Sequence, residues 1–409
     1  MRASDWLLVL ALMPLVTIAY NPDICGAKPR DLHLEPRCVY RSPEPTSDPT
    51  ADPEPTSDSE PTSDPVPEST NPRVWELSKA NGRFALALHK QLALSKSPEE
   101  NIFMSPISIS TSFAMTKLGA CNETLRQIME LNCRLYRKKD KTTALISANR
   151  LFGDKSLVFD EMYQNISEAM YGSKLLPLNF KENPEQARVS INSWISNQTE
   201  NLIQDTLPPA ALDSNTILVL VNTIYFKGEW KNKFDKENVY KSDFHVSESR
   251  SCSVSQMYQE TRFSKETTLS RVEEGLDLKK LTHWMDGMEE KTVAVHIPRF
   301  RLEDSFSLKD KLQAMGLTDL FSSEKASLPG MLEDGGEGLH ISDAFHKAFL
   351  EVNEEGSEAA AATGVVAVGR SINFDREVFH VNRPFLLLIR EKSINALLFT
   401  ARVADPCTQ

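Results

Sequence analysis

The feature that most constrains this chain is a stretch near its C-terminus that joins very small residues to one protease-sensitive bond. Residues 354–371 read Glu-Glu-Gly-Ser-Glu-Ala-Ala-Ala-Ala-Thr-Gly-Val-Val-Ala-Val-Gly-Arg-Ser. An arginine followed by serine suits a trypsin-like protease, whose specificity pocket has a buried carboxylate at its base. We therefore predict that Arg370-Ser371 is presented for cleavage, and that the run before it can take part in another structure.

The pattern of this run fits a strand that can be added to a sheet. Successive side chains of a strand point to opposite faces, and every second residue from position 357 is small and uncharged. That set is Ser357, Ala359, Ala361, Thr363, Val365 and Ala367. The one charge, Glu358, falls in the other set, and Gly356 supplies a flexible hinge. Composition alone also allows an accidentally cut surface loop or a helix over 359–362.

Four motifs before and after this run, taken together with it, are typical of one protein family. They are Asn101-Ile-Phe-Met-Ser-Pro-Ile-Ser, Leu220-Val-Asn-Thr-Ile-Tyr-Phe-Lys-Gly-Glu-Trp230, Phe345-His-Lys and Asn382-Arg-Pro-Phe. Together with the loop, they make residues 73–409 resemble the serpin family. The resemblance implies an α+β fold with a large central β-sheet, smaller sheets, surrounding helices and an exposed reactive loop over about 354–378.

In the serpin mechanism, the protease attacks the loop, forms an acyl-enzyme, and is distorted when the cut loop inserts into a sheet. The resemblance implies that Arg370 is read by the protease, that Ser371 follows the cut, and that thrombin and factor Xa are targets. It also implies a hinge and a buried polar cluster beneath the opening sheet. The hinge residues are Glu354, Gly356, Ser357, Ala359 and Ala361, and the cluster residues are Ser105, Ser108, Asn222 and His346.

The chain shows no sign of being an enzyme. It contains no GxSxG, HExxH, GxGxxG or Walker motif, and His346 has no paired nucleophile that would make it a catalytic base. No CxxC pair suggests a metal site. We therefore expect no catalytic residue, no metal and no cofactor, apart from a polyanion as activator.

The first seventy residues divide into three segments. Residues 1–19 read as a signal peptide, with Arg2 before an apolar stretch too short to span a bilayer. Residues 20–40 form a basic arm, and residues 41–70 an acidic linker that repeats Glu-Pro-Thr-Ser-Asp and is predicted to be disordered. The serpin domain is expected over 71–409. The mature chain is expected to be secreted, extracellular and monomeric, without a membrane span or a nucleic-acid partner.

Secretion determines how the cysteines and sequons are interpreted. Six cysteines in an oxidising compartment predict three disulfides, for which sequence allows fifteen pairings. The family resemblance selects Cys25–Cys133, Cys38–Cys121 and Cys252–Cys407. Three Asn-X-Ser/Thr sequons predict glycosylation at Asn122, Asn165 and Asn197.

A basic segment predicts an anion-binding surface. Arg134, Arg137, Lys138 and Lys141 follow i, i+3, i+4, i+7 spacing and share one helix face. Four cations together favour a sulfated glycosaminoglycan, although a solvated helix face is equally compatible with the spacing. The resemblance implies heparin or heparan sulfate binding here and adds three residues to the site: Lys28, Arg30 and Arg73.

The sequence departs from the family pattern at two joins. Met129-Glu130 runs directly into Leu131, without about twenty family residues that begin the basic helix. Glu274-Gly275 runs into Leu276, where two apolar strands normally lie, so we expect their neighbours to be exposed. Pro72 also replaces a usual cation. The alternatives are therefore a non-inhibitory serpin, a glycosaminoglycan-binding protein whose loop is only a substrate, or an inactive splice or gene-model variant.

Periodicity gives a mixed set of helices and strands. Helices are predicted over 75–94, 106–118, 183–203 and 306–315, with Ser105 as a cap. Strands are predicted over 217–226, 291–300, 386–389 and 396–403, the last two as a hairpin of buried strands. The mixture indicates the α+β class.

Overall fold

The structure is a computed structural model of the whole chain, with no ligand or partner. It describes residues 72–120, 143–171, 173–228, 230, 232–262, 276–281, 292–333, 338–356, 377–391 and 396–407. The predicted signal peptide, arm and linker lie outside these residues. Within them, no helix has both the length and the apolar character that crossing a bilayer requires.

The largest element is a five-stranded central sheet. Its strands, in chain order, are β2 (Thr143–Asp154), β3 (Leu176–Leu178), β4 (Leu218–Gly228), β8 (Phe300–Ser307) and β9 (Asp343–Val352). Their spatial order is β3-β2-β4-β9-β8. The two inner strands β4 and β9 are parallel neighbours, with a register that runs from Val219↔Asp343 to Phe226↔Leu350.

Two smaller sheets complete the β-structure. One has the order β10-β7-β6-β5, from β5 (Val239–His245), β6 (Ser251–Arg262), β7 (Thr292–Pro298) and β10 (Glu377–His380). The other has the order β1-β12-β11, from β1 (Ile102–Met104), β11 (Phe385–Glu391) and β12 (Ala396–Val403). The strands β11 and β12 form the predicted antiparallel hairpin.

Five helices of six residues or more surround the sheets in the described part of the chain. They are α1 (Pro72–Ser95), α2 (Pro106–Lys117), α3 (Glu161–Tyr171), α4 (Pro184–Gln198) and α5 (Lys309–Ala314). The start of α2 follows from its sequence, because the Ser105 side chain accepts a hydrogen bond from the Ser108 N–H and Pro106 occupies the first turn. Short 3-10 turns cover Lys236–Asn238 and Asp319–Phe321.

The central sheet is buried on both faces. On one face, Leu218, Leu220 and Ala344 join residues of α1, α2 and α5 in the largest apolar cluster. On the other face, Val219 and Val221 join Ile191 of α4 and neighbouring residues in a second cluster. Burial on both faces explains why β4 is nearly all apolar, as the sequence indicated.

Three details differ from the sequence predictions. The helix predicted over 183–203 ends at Gln198, because Glu200 and Asn201 take positive φ angles of 53° and 64° that stop a right-handed helix. The helix predicted from 306 begins at Lys309. Phe306 instead belongs to β8 and pairs with His346, so sheet pairing overrides its helical spacing.

The third difference concerns β11, which was predicted to be buried. All seven residues of β11 are half-buried, whereas all eight of β12 are buried. Among the described strands, β12 has neighbours on both sides and β11 lies at the edge. The expectation that strands are missing beside it stays a prediction, because residues 263–275 and 282–291 lie outside the described residues.

Candidate functional site

The predicted reactive loop connects two different sheets. Its N-terminal end leaves β9, a central strand of the five-stranded sheet, and its C-terminal end enters β10, an edge strand of the four-stranded sheet. Residues 357–376 lie outside the described residues, including Ser357, Ala359, Ala361 and the Arg370-Ser371 bond. The described part of the site is therefore the hinge at the end of β9, together with the sheet that the loop would enter.

The hinge begins with a tight turn directly after β9. Asn353 and Gly356 exchange two backbone hydrogen bonds, with the Asn353 N–H donating at 2.9 Å and the Gly356 N–H at 3.2 Å. Gly356 has φ of 127°, a region that side chains other than glycine disfavour. The turn ends the pairing of β9, and Gly356 is the residue whose conformational freedom allows the chain to reverse.

Two aromatic residues hold the hinge backbone from the side. The Trp230 indole N–H donates to the Asn353 carbonyl at 2.8 Å, and the Trp230 backbone N–H donates to the Glu355 carbonyl at 3.2 Å. The Phe234 N–H donates to the Glu354 carbonyl at 2.9 Å. The two rings meet edge to face at 5.6 Å between centroids. Three donors thus fix three consecutive hinge carbonyls.

The two hinge carboxylates each have a cation beside them. Lys236 Nζ lies 2.6 Å from Glu355 Oε1, and Arg299 Nη1 lies 3.5 Å from Glu354 Oε1. The hydrogen bond to Glu355 raises the pKa of Lys236. Both glutamates are buried, whereas both cations are exposed. These four residues and Val239 line an open cleft of about 460 Å³. The two cations are therefore accessible to solvent, whereas the carboxylates lie behind them.

A buried polar cluster lies between the central sheet and α2, at the level of the middle of β4 and β9. His346 Nε2 accepts a hydrogen bond from the Ser105 N–H at 3.2 Å, and the other ring nitrogen contacts Asn222 Oδ1. Asn222 Nδ2 donates to Ser108 Oγ at 2.7 Å and also to Asn149 Oδ1. The four residues predicted to form this cluster are therefore in contact.

The cluster determines the protonation state of His346. Since Nε2 accepts from a backbone N–H, Nδ1 must carry the proton and donate to Asn222 Oδ1. Complete burial lowers the pKa of His346 to about 3, so the imidazole is neutral over the physiological range. The cluster joins β4, β9 and α2 through neutral hydrogen bonds, and it holds the two inner strands side by side.

The predicted heparin residues are mostly outside the described part of the chain. Lys28, Arg30, Arg134, Arg137, Lys138 and Lys141 all fall there, and Arg73 is placed only by its backbone, near the start of α1. The site therefore stays a prediction.

The covalent features are described in part. Cys252 and Cys407 form a disulfide, while Cys25, Cys38, Cys121 and Cys133 lie outside the described residues. The sequons at Asn165 on α3 and Asn197 on α4 have exposed asparagines, as glycosylation requires; Asn122 is not described.

Sequence reasoning missed the cations and one aromatic of the hinge. Phe234, Lys236 and Arg299 come from segments far from residue 354, and nothing local in the sequence distinguishes them. Trp230 belongs to the motif Leu220–Trp230, but its role as a hydrogen-bond donor to Asn353 was not predicted. The sequence shows only that two carboxylates, Glu354 and Glu355, are adjacent; their need for cations or donors follows from their burial in the structure.

The chain is similar to known proteins of one family. A family model described as serpin (serine protease inhibitor) matches residues 79–268 and 263–406. Antithrombin-III of Homo sapiens is 50% identical over 453 residues, covering 98% of this chain and 96% of the relative. Antithrombin-III of Mus musculus is 51% identical over 438 residues, covering 95% and 92%.

Solved structures agree with the family match. Uncleaved ovalbumin has a TM-score of 0.72 and 31% identity, covering 81% of this chain and 100% of ovalbumin. Human thyroxine-binding globulin has a TM-score of 0.73 and 28% identity, covering 82% and 99%.

The comparisons also bear on the missing segments. The alignment to the human relative spans 453 positions although this chain has only 409 residues, so the relative contains internal residues that this chain lacks. The family match is split in two near residues 263–268, close to the Gly275-Leu276 join. The family is described as serine protease inhibitors, which places the chain among inhibitors rather than enzymes. With a family match over most of its length and half its residues shared with antithrombin-III, the chain belongs to the serpin family.

Proposed function

We propose that this chain inhibits trypsin-like proteases of blood coagulation, thrombin and factor Xa among them, by trapping them after cleavage at Arg370-Ser371. The observation that carries the proposal is the arrangement of β4, β9 and the hinge. The two parallel strands are direct neighbours, and β9 leads through the Asn353–Gly356 turn into the run of small residues. Identity of about 50% to antithrombin-III supports the choice of proteases.

The sheet geometry explains why insertion would be favourable. A chain that reverses at Gly356 runs antiparallel to β9, and therefore antiparallel to β4 as well. One parallel pairing would then be replaced by two antiparallel pairings, which have the better hydrogen-bond geometry. Every second residue from Ser357 to Ala367 is small and uncharged and would face the core beneath the sheet. Insertion thus adds a strand without placing a large or charged side chain in the core.

The buried cluster and the hinge contacts hold the uninserted state. His346 on β9 and Asn222 on β4 are register partners and hydrogen-bonded, so a strand between them must separate this pair. The contacts from Trp230 and Phe234 to the hinge carbonyls must also break. These contacts keep the loop outside until cleavage releases it, after which the new pairings outweigh them.

We further propose that heparin or heparan sulfate accelerates the reaction through Lys28, Arg30, Arg73, Arg134, Arg137, Lys138 and Lys141. Support comes from the shared helix face of the last four residues and from the similarity to antithrombin-III. The same similarity supports a secreted, extracellular and glycosylated protein with three disulfides. In this view the acidic linker over 41–70 competes with the polyanion for the basic residues at low salt.

The test is to mix the purified chain with thrombin, with and without heparin, and to separate the products by denaturing electrophoresis. A covalent high-mass band that is absent in Arg370→Ala and forms faster with heparin would support the proposal. A matched pair of variants tests insertion itself. Ala361→Arg places a large cation on the inward face and should convert the chain into a substrate, whereas Ala360→Arg on the outward face should still form the complex.

The alternatives give different products in the same experiment. Cleavage after Arg370 without a stable complex would indicate a non-inhibitory serpin, a glycosaminoglycan-binding protein whose loop is only a substrate, or an inactive variant. The half-buried edge strand β11 is the observation that favours such loss of function. If the chain binds heparin but is neither cleaved by thrombin nor forms a complex with it, the proposal of inhibition is contradicted. The proposal of a heparin site would still hold.

A further inference from the structure

The two cations beside the hinge come from opposite neighbours of β9. Lys236 begins the short 3-10 turn before β5, on the segment that connects β4 to β5, and Arg299 directly precedes β8. In the central sheet, β4 and β8 are the strands on either side of β9. Lys236 therefore reaches Glu355 from the β4 side of the hinge. Arg299 reaches Glu354 from the β8 side.

Only one of these two contacts crosses the entrance, by which we mean the place between the ends of β4 and β9 where an inserting strand would start. Neighbouring strands of a sheet lie about 4.7–4.9 Å apart. A strand that enters between β4 and β9 must move them apart by that amount, so the contact of 2.6 Å between Lys236 Nζ and Glu355 Oε1 would be lost. Arg299 and Glu354 stay together, because β8 remains paired with β9.

The backbone contacts and the burial of Glu355 make its contact with Lys236 specific. The Glu355 N–H donates to Asn353 Oδ1 at 3.0 Å, and the Glu355 carbonyl accepts from the Trp230 N–H at 3.2 Å. The carboxylate is therefore fixed in place, and it is buried. Removing a cation from a buried carboxylate costs more than breaking a surface ion pair. The hydrogen bond to Glu355 raises the pKa of Lys236, which keeps the ammonium charged at physiological pH.

The position of Lys236 is also set by its own turn. The Asp235 carboxylate accepts a hydrogen bond from the Glu237 N–H at 3.0 Å and so caps the 3-10 turn. The Lys236 side chain itself is 69% exposed, so a substitution removes the charge without leaving a cavity. The effect of such a substitution therefore reports on the contact with Glu355 and not on packing.

We propose that Lys236 is a positioning residue that holds the hinge across the entrance, and that its contact with Glu355 limits how often a strand can enter between β4 and β9. The proposal rests on the proposed function, because it names a regulator of the same loop insertion. Insertion must break this contact together with those from Trp230 and Phe234. A chain without the Lys236 cation therefore opens its entrance more often.

The first experiment measures whether Lys236 holds the hinge. Hydrogen exchange of the full chain is followed by mass spectrometry in peptides that contain Trp230 and Phe234, whose N–H groups donate to the hinge carbonyls. We expect exchange about 3- to 10-fold faster in Lys236→Gln than in the parent. Lys236→Arg, which keeps a cation, and Lys241→Gln, at an exposed position on β5, should match the parent. Unchanged exchange in Lys236→Gln would overturn the proposal.

The second experiment measures entry into the sheet without any protease. A fluorescein-labelled synthetic peptide with the sequence of residues 357–369 is incubated with each chain, and its incorporation is followed on native gels. Lys236→Gln should take up the peptide about 3- to 10-fold faster than the parent. Arg299→Gln should gain less than about twofold, because its contact does not cross the entrance. Equal rates in Lys236→Gln and the parent, or an equal gain in Arg299→Gln, would overturn the placement of Lys236 across the entrance.

The two experiments separate this proposal from the proposed function. Faster exchange and faster peptide entry in Lys236→Gln, without a covalent complex with thrombin, would support the role of Lys236 and contradict inhibition. No peptide entry into any chain would overturn both, because no strand could then be added between β4 and β9. Circular dichroism and thermal melts confirm that each variant is folded.

Discussion

Protonation of the buried histidine gives the sharpest test of how the central sheet is held closed. His346 is fully buried, its Nε2 accepts from the Ser105 N–H, and its pKa is lowered from 6.5 to about 3. The unfolded chain binds a proton at this position below pH 6.5, whereas the native chain does not until about pH 3. Stability is therefore fully present above pH 6.5 and is lost as the pH falls through this window.

The magnitude follows from the two pKa values. For a pKa of 6.5 in the unfolded state and about 3 in the native state, protonation of this one group in the unfolded chain lowers the free energy of unfolding by about 1 kcal/mol at pH 5.5 and by about 3 kcal/mol at pH 4.5. Many carboxylates titrate in the same range, so the parent alone cannot isolate the effect. The comparison with His346→Gln can, because glutamine offers an acceptor and a donor but binds no proton.

The assay is denaturant unfolding of the parent and of His346→Gln at several pH values from 7 to 4.5. The free energy of unfolding is taken from the first unfolding transition. The free energy of unfolding of the parent should fall by about 2–3 kcal/mol more than that of the variant over this range. His245→Gln, at an exposed position, controls for the chemical change alone. Curves for parent and His346→Gln that fall in parallel would refute the reasoning, because they would mean that the native imidazole already takes up a proton above pH 4.5.

Three further predictions concern other parts of the fold. Lys96→Met removes the cation 2.6 Å from buried Asp304. Because burial already raises the pKa of that carboxyl, the free energy of unfolding should fall by about 3 kcal/mol in urea titrations; an unchanged midpoint would contradict the pairing. Gly119→Ala should lower the free energy of unfolding by about 1–3 kcal/mol, because the added Cβ would lie 2.3 Å from Met331 Cγ. A melting temperature equal to that of the parent would contradict this prediction and show that Met331 can move. The double variant Cys252→Ser, Cys407→Ser removes a disulfide between positions 155 residues apart and should lower the free energy of unfolding by about 2–5 kcal/mol. Unchanged stability of the double variant would contradict the disulfide.

Much of the fold follows from local sequence. The helix α2 begins where Ser105-Pro106 directs it, because a cap and a proline act within one turn. The strand β4 could be predicted because burial on both faces requires an apolar run. The start of the helix predicted over 306–315 was wrong. Phe306 is a strand residue because β8 pairs with β9, a contact between distant segments that the residues next to Phe306 do not indicate.

The sequence by itself determined the family and predicted cleavage of the bond after Arg370, since both depend on residue types in order along the chain. Only the tertiary structure brought Lys236 and Arg299 to the hinge carboxylates and paired His296 with His380. The partial burial of β11 likewise depends on which strands lie beside it. Such contacts join residues far apart in the chain, so their geometry exists only after the sheets have formed.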